Sequence, residues 1–545
     1  MKPTGWHFLI LVICCFATKS MAAPFTRQDS LRGGNGHGRD WWKVLKYDLQ
    51  LEIDTLDQHI RGTNTILFSI PGKARDSMQI DLQEGMNLLP VKGPQGESIR
   101  LPREGNVYWL IRDATSWETG KVYSLQLRFE GKPRTAVNPP WDGGFIWTRD
   151  SSEKPWISVA CQGLGASAWW PCKDYQGDEP DAGMTIKVAL PTKERIISNG
   201  RCISTITRPD GIKEGQYELK NPINTYGVSF YVGDYSHWHD TLHGEKGVLD
   251  LDFYPLRMNE KKARKQWAIT KEMLRCYEYW LGPYPFYEDG YKLVEAPYMG
   301  MEHQSAIAYG NQYQMGYNGR GQHKDRSGTG IGFDFDFIII HESAHEWFGN
   351  SITAKDVADN WIHEGFTTYM EALFAEWIRS KDSGVAYTMG EWNNIRNERP
   401  VIGSYGVNDE GDVDKYDKGA AVIHMIRMMI LDDDRFRQLL HGLNREFYHK
   451  TVTSHQVEDY ISRFVGIDLR VFFNVYLRST IKPKFEWSFD GTSFHYNWNG
   501  VPNGFTAPFI LPESGAKWFS PANGGKKYWA PDRIISCGWY DVLRR

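Results

Sequence analysis

His341 and His345 stand four residues apart with Glu342 between them, and Glu364 follows after eighteen intervening residues. That spacing confines this part of the chain to two helices held face to face. On an α-helix, positions i and i+4 share a face, so the two imidazoles can each offer a nitrogen to one ion. The flanks agree: Phe337-Ile338-Ile339-Ile340 and Trp347-Phe348 are apolar at helical spacing. Glu342 falls one step round the helix, where it can hold a water beside a metal without ligating it. Asp359 to Glu371 repeats the pattern, with Ile362, Phe366, Tyr369 and Met370 spaced for one buried face. Glu364 from this second helix completes a set of two imidazoles and a carboxylate with a fourth position open. Zinc takes such a set, one ion per chain, and the open position marks a reactive site rather than a stabilising one. Glu371, two turns beyond Glu364, is spaced to orient a ligand histidine. On an exposed helix the same residues would be a solvated polar face. The apolar flanks argue for burial, where unpaired charge is costly.

The 545 residues suffice for two to four domains, and a hydrophobic fraction of 41% with 22 Trp and 28 Tyr can fill their cores. A net charge of -4 without a basic run gives no footing for nucleic acid. Lys2, the apolar run Phe8 to Ile13 and Ser20-Met21-Ala22-Ala23 form a signal-peptide pattern over residues 1–23. Export to a periplasmic or extracellular space is therefore expected. The run is too short to span a bilayer, so membrane attachment is not expected; Cys14-Cys15 leave a lipoprotein alternative open. The other five cysteines are odd in number and scattered, which is no disulfide framework, and a Cys161–Cys172 bridge stays open. The sequence is silent on oligomeric state.

Residues 24–39, with Arg32-Gly33-Gly34-Asn35-Gly36-His37-Gly38, read as a flexible lead-in. Period-two runs such as Tyr47 to Ile53, Val122 to Phe129 and Met184 to Leu190 make 40–240 an all-β domain. Residues 241–481 are mainly helical and carry the histidine pair. Asn259 to Leu281 is one helix, stopped by Gly282-Pro283; Tyr416 to Leu431 is another; Thr453-Ser454-His455-Gln456 caps a third. In 482–545 strands return, with a hairpin turning at Asp490-Gly491, as a small β module. The acidic stretch Asn408 to Asp412 reads as a solvated loop.

Three motifs, in this order, resemble those of the M1 family of zinc aminopeptidases, within the gluzincins. Met299-Gly300-Met301-Glu302-His303 is similar to its Gly-x-Met-Glu-Asn exopeptidase motif, His341 to Glu364 to its zinc motif, and Tyr416-Asp417-Lys418-Gly419 to its catalytic-tyrosine segment. Gln162, Trp170-Pro171-Cys172-Lys173-Asp174 and Asp178-Glu179-Pro180 resemble the segment of the N-terminal domain that approaches the site. The resemblance runs from about Asp40 to Lys482. It implies a multidomain α+β protein: a β-rich saddle domain, a thermolysin-like catalytic domain that is mainly α, and a small C-terminal β module. It also implies a short form without the large C-terminal helical domain of many members. Met299 and His303 depart from the family's glycine and asparagine. M61 aminopeptidases share the Glu-His pair, but the segment around Gln162 and Trp170 favours M1. His363 stands where many relatives have asparagine, which suggests a structural role.

The resemblance implies removal of N-terminal residues from peptides with a free amino terminus. His341, His345 and Glu364 would hold zinc, Glu342 would be the general base, and Tyr416 would stabilise the oxyanion. Glu302, helped by Gln162, would bind the substrate ammonium, with Gly300 and Met301 along the substrate. From residues alone, Tyr416 would be packing and Glu302 a surface ion pair. The alternatives are a gluzincin endopeptidase, an M61-like aminopeptidase, or a peptide-binding protein that has lost catalysis.

Overall fold

The computed structural model describes residues 25–91, 99, 101–111, 117–319, 321–490, 493–510 and 535–544. The expected signal peptide lies outside the described residues.

Alternating apolar residues build the N-terminal domain, because successive side chains of a strand face opposite sides. Leu49, Leu51 and Ile53 of strand Lys43–Asp54 point inward and are buried. That strand runs antiparallel to His59–Ser69 and parallel to Met184–Pro191 near the centre of a seven-stranded sheet. A four-stranded sheet that includes Gly144–Arg149 and Pro155–Ala160 contributes to the same core, which holds Trp42, Phe68, Phe129, Trp169 and Trp170. The turn after Pro155–Ala160 carries Gln162 to the domain's edge.

The lead-in differs from the expectation of a flexible segment. Arg27–Gly33 is a helix (α1) with a Thr26 capping box. Arg32 donates to the carbonyls of Leu164 and Asp174, and buried Arg39 pairs with Asp81 at 2.6 Å. Glycine serves close approach here rather than mobility: a Cβ on Gly33 would stand 2.1 Å from the Val407 backbone.

The second domain opens with the hairpin Trp238–Gly244 and Gly247–Tyr254, so the expected boundary at 240 falls inside a strand. Its five-stranded sheet continues through Tyr291–Glu295 and Ile307–Tyr309 and ends at the edge strand Gly300–Met301. Helices α2 (Thr270–Leu281) and α3 (Phe337–Ala344) pack against it, α4 (Trp361–Ile378) packs on α3, and α5 (Asp417–Ile430) on α4. Residues 337–344 are buried throughout α3, as the unbroken apolar run before His341 requires. Tyr277 of α2 donates to the Ile340 carbonyl at 2.7 Å and holds α3 from behind.

Past residue 481, Lys484–Phe489 pairs with Phe494–Asn499 and, in parallel, with Asp541–Arg544. Phe485, Trp487, Trp498, Phe505 and Trp539 belong to the same apolar cluster as the second domain's helices. The β module is therefore an extension of that core. The Cys161–Cys172 bridge that the sequence leaves open is not formed: both thiols are buried and free. Asn408 to Asp412 is not simply solvated, since Asp409 pairs with Arg399 and Glu410 with Lys415. No described helix is long and apolar enough to cross a membrane.

Candidate active site

Five segments converge on one cleft of about 280 Å³, lined by Gln162, Gly300, Glu302, His341, Glu342, His345, Glu364 and Tyr416 among others. The donor atoms of His341, His345 and Glu364 lie within 4.8 Å of one another. Glu364 Oε2 is 3.6 Å from His341 Nε2 and 3.3 Å from His345 Nε2, and is buried without a hydrogen-bond partner. Tetrahedral ligands about 2.0–2.1 Å from zinc stand roughly 3.3 Å apart, so these spacings suit the ion. The outward nitrogens are already committed. His341 Nδ1 faces Glu371 Oε1 at 2.7 Å, and His345 Nδ1 faces the Phe348 carbonyl at 3.0 Å. Both Nε2 atoms are thus left to face the ion. Charge points the same way. Glu302, Glu342 and Glu364 are all buried here, and such a cluster calls for a cation.

Glu371 also accepts from Tyr387 at 2.7 Å, a partner that sequence spacing could not supply. Glu371→Gln removes the charge that orients His341 while keeping the shape. Zinc affinity should fall about 10- to 100-fold, measured by competition with a chromophoric chelator. Unchanged affinity would show that Glu371 only packs.

The edge strand is anchored to the end of α3. Asn350 Nδ2 donates to the Glu302 carbonyl, and Glu346 accepts from the Ser305 amide, each at 2.9 Å. This aims the Glu302 carboxylate at the cleft, where a carboxylate oxygen groups within 4.8 Å of donor atoms of Glu342 and His345. Gln162 Nε2 donates to Glu302 Oε1 at 2.9 Å, joining residues 140 apart in sequence. Burial lifts the Glu302 carboxyl above its ordinary range, and Glu364 adds to the lift. Gly300 has a specific reason to lack a side chain: its Cβ would meet Glu342 Oε1 at 2.8 Å and Ile338 at 2.9 Å. Met301 turns the other way. Its side chain belongs to the buried cluster that holds Tyr231, Tyr298 and Ala308, and Met301 is not in the cleft lining.

Burial raises Glu342 to about 7, with Glu302 and Glu364 adding to the rise against the two histidines. Tyr416 precedes α5, and its ring stacks on His341 at 5.9 Å. A close helix crossing puts it there. A Cβ on Gly365 of α4 would lie 3.0 Å from the Gly419 backbone of α5, and one on Gly419 2.8 Å from Gly365. A glycine inside a helical pattern is the sequence signal for such an approach.

Residues 266–476 match the model of the peptidase family M1 domain, and residues 43–226 that of the peptidase M1 N-terminal domain. The chain belongs to peptidase family M1. The endoplasmic reticulum aminopeptidase 1 of Rattus norvegicus is 24% identical over 320 residues, 56% of this chain and 33% of that protein. A probable aminopeptidase 2 of Sulfurisphaera tokodaii is 21% identical over 411 residues, 72% of this chain and 48% of that protein. The chain thus spans a third to a half of these relatives' length. A mutant M1 zinc metallopeptidase from Deinococcus radiodurans, solved with a Tyr-Ser-Ala substrate, shares the fold with a TM-score of 0.65 at 21% identity, over 81% of this chain and 95% of that one.

Two departures of this M1 chain have structural partners. His303 is buried, burial lowers it to about 3, and its Nδ1 lies 2.6 Å from the Tyr231 hydroxyl. That hydroxyl donates to the Ala306 carbonyl, so His303 is the donor to it and braces the turn after Glu302. His363 is likewise lowered to about 3 by burial, and its Nε2 accepts from the Ala354 amide at 2.7 Å. Neither is in the cleft lining. Trp141 and Arg326 line it too, and carry no motif that a sequence reading could single out.

Proposed function

We propose that this chain is a zinc-dependent aminopeptidase that hydrolyses the first peptide bond of substrates with a free amino terminus. The observation that carries this reading is the buried Glu302 carboxylate, held by Gln162 and grouped with Glu342 and His345. A carboxylate so close to the reacting centre leaves room for one residue between the substrate ammonium and the bond that breaks. Held by His341, His345 and Glu364, zinc would supply Lewis acidity to the carbonyl and to water. Glu342 takes the proton of the attacking water and passes it to the leaving amine. Tyr416 donates its hydroxyl hydrogen bond to the oxygen on which charge develops. Glu302 pairs with the ammonium, and Gly300 keeps the floor of the cleft open beside Glu342.

The test compares aminoacyl amides with their N-acetylated forms, with and without chelator. Activity should vanish on chelation and return with zinc, and acetylation should abolish most of it. Glu302→Ala should cut kcat/KM on free-amine substrates by roughly ten- to a hundredfold, the value of a charge-assisted contact. Wild-type cleavage of N-acetylated internal peptides at the same rate would instead make the protein an endopeptidase. Export through the leader belongs to the same reading and rests on the pattern of residues 1–23. A secreted or periplasmic form whose intact mass retains those residues would rule out cleavage there.

A further inference from the structure

The cleft has two ends. Glu302 and Gln162 form one, beside His345. Beyond His341, at the other, stands Arg326, in the loop between strand Gln322–Lys324 and the turn Ile331–Asp334. Its guanidinium lies 5.6 Å over the Phe337 ring and 6.0 Å over the Tyr317 ring. Nη2 donates to the two carboxylate oxygens of Asp417 at 3.2 and 3.3 Å. Nε is buried with no partner, and Nη1, which makes no hydrogen bond among the described residues, is the donor left for a ligand in the cleft. A guanidinium offers five N–H donors in a planar fork suited to a carboxylate. Buried Glu371 and Glu391 also act on the charge of Arg326, which balances carboxylates behind it while lining the cleft in front.

The spacing between the two ends fits a short peptide. Ring centroids step 5.0 Å from His345 to His341 and 5.2 Å from His341 to Phe337, then 5.6 Å to the guanidinium. An extended chain covers about 3.5 Å per residue. The path sets an upper limit, so a peptide of up to about four residues, its ammonium at Glu302, spans the distance to Arg326. The guanidinium lies over the Phe337 and Tyr317 rings, and such an apolar surround strengthens a charge-assisted contact. Among the described residues Lys324 is a further cation on this side, exposed and 5.6 Å over the Tyr317 ring.

We propose that Arg326 binds the C-terminal carboxylate of short peptides, so that the cleft selects oligopeptides of up to about four residues by both of their charged ends. This rests on the aminopeptidase reading.

The experiment compares Ala-Ala-Ala with Ala-Ala-Ala-amide, with an aminoacyl anilide as control. For the zinc-loaded wild type, kcat/KM should be about ten- to a hundredfold higher for the free acid. Arg326→Gln should bring the acid-to-amide ratio close to one, and Arg326→Lys, a point charge without the fork, should leave it in between. Calorimetry on the Glu342→Gln protein should show the same preference in Kd without turnover, lost in the Glu342→Gln/Arg326→Gln double variant. If the anilide and both peptides all resist cleavage, the aminopeptidase reading fails. If they are cleaved with a wild-type ratio near one, only the Arg326 proposal fails, whether or not its variants fold. A high ratio that survives Arg326→Gln also overturns it, by placing the carboxylate on another group such as Lys324.

Discussion

Glu342→Gln should keep its zinc and lose turnover by about 10²–10⁴-fold, the usual share of a positioned general base. The amide preserves the shape of the carboxylate but cannot accept the proton of the attacking water. None of the three groups grouped for the ion is altered, so the metal content of the purified variant should match wild type. The neighbourhood of Glu342 explains its suitability. Burial pushes it up to about 7, reinforced by Glu302 and Glu364, so the protein groups alone bring it close to neutrality. The base must be ionised to work, so its contribution is present above its pKa and lost as pH falls through it. A bound dication draws that pKa down, which places the acid limb of kcat/KM at or below about pH 7. Metal analysis and kcat on one preparation decide the matter. A variant within tenfold of wild type would remove Glu342 from its role, and a variant without metal would make it a ligand or a fold determinant.

What could be read ahead of the structure follows the range over which each interaction acts. His341, His345 and Glu364 sit on two helices whose periodicity is written locally, and their ligand spacing is a property of helix geometry. The β-rich first domain was legible for the same reason, since period-two alternation is local. Glu302 and Gln162 are different. Their contact joins residues 140 apart, and only resemblance pointed to it. Gly33 and Gly34 carry the same local signal as a flexible linker, whereas their packing on residues 406–407 depends on distant chain. The C-terminal strands read as a module because their alternation is local, while the core they complete is shared with the preceding helices, where Phe472 and Tyr476 meet Phe505 and Trp539. Met301 shows the limit inside a motif: the strand's alternation sends its side chain to the core while neighbouring Gly300 and Glu302 face the cleft. Arg326 left no trace at all, because a loop arginine has no periodicity to betray its direction.

Tyr416→Phe should lower kcat by about 10²–10³-fold while folding and zinc content survive, because it deletes one oxyanion donor and keeps the ring. The ring has a structural part to play, stacked on His341 at 5.9 Å, and phenylalanine preserves it. The hydroxyl can only donate if it stays protonated. Burial pushes the phenol well above its ordinary value, and the Glu364 and Glu302 carboxylates push the same way. Its placement does not depend on the hydroxyl. Tyr416 is fixed by the Gly365–Gly419 crossing and by Asp417, the next residue, which pairs with Arg326 at 3.2 Å. The loss should therefore fall on kcat, with KM changed little, since the hydrogen bond strengthens only as charge develops on the carbonyl oxygen. A variant that raises KM at constant kcat would mean that Tyr416 contacts the ground-state substrate alone. One with wild-type values of both would mean that it merely packs. Gly419→Ala supplies the complementary outcome: the added methyl would meet the Gly365 backbone at 2.8 Å, so the helices must part and carry the intact hydroxyl out of position. Its kcat should then fall alongside that of Tyr416→Phe, with a lowered Tm that the tyrosine variant does not show.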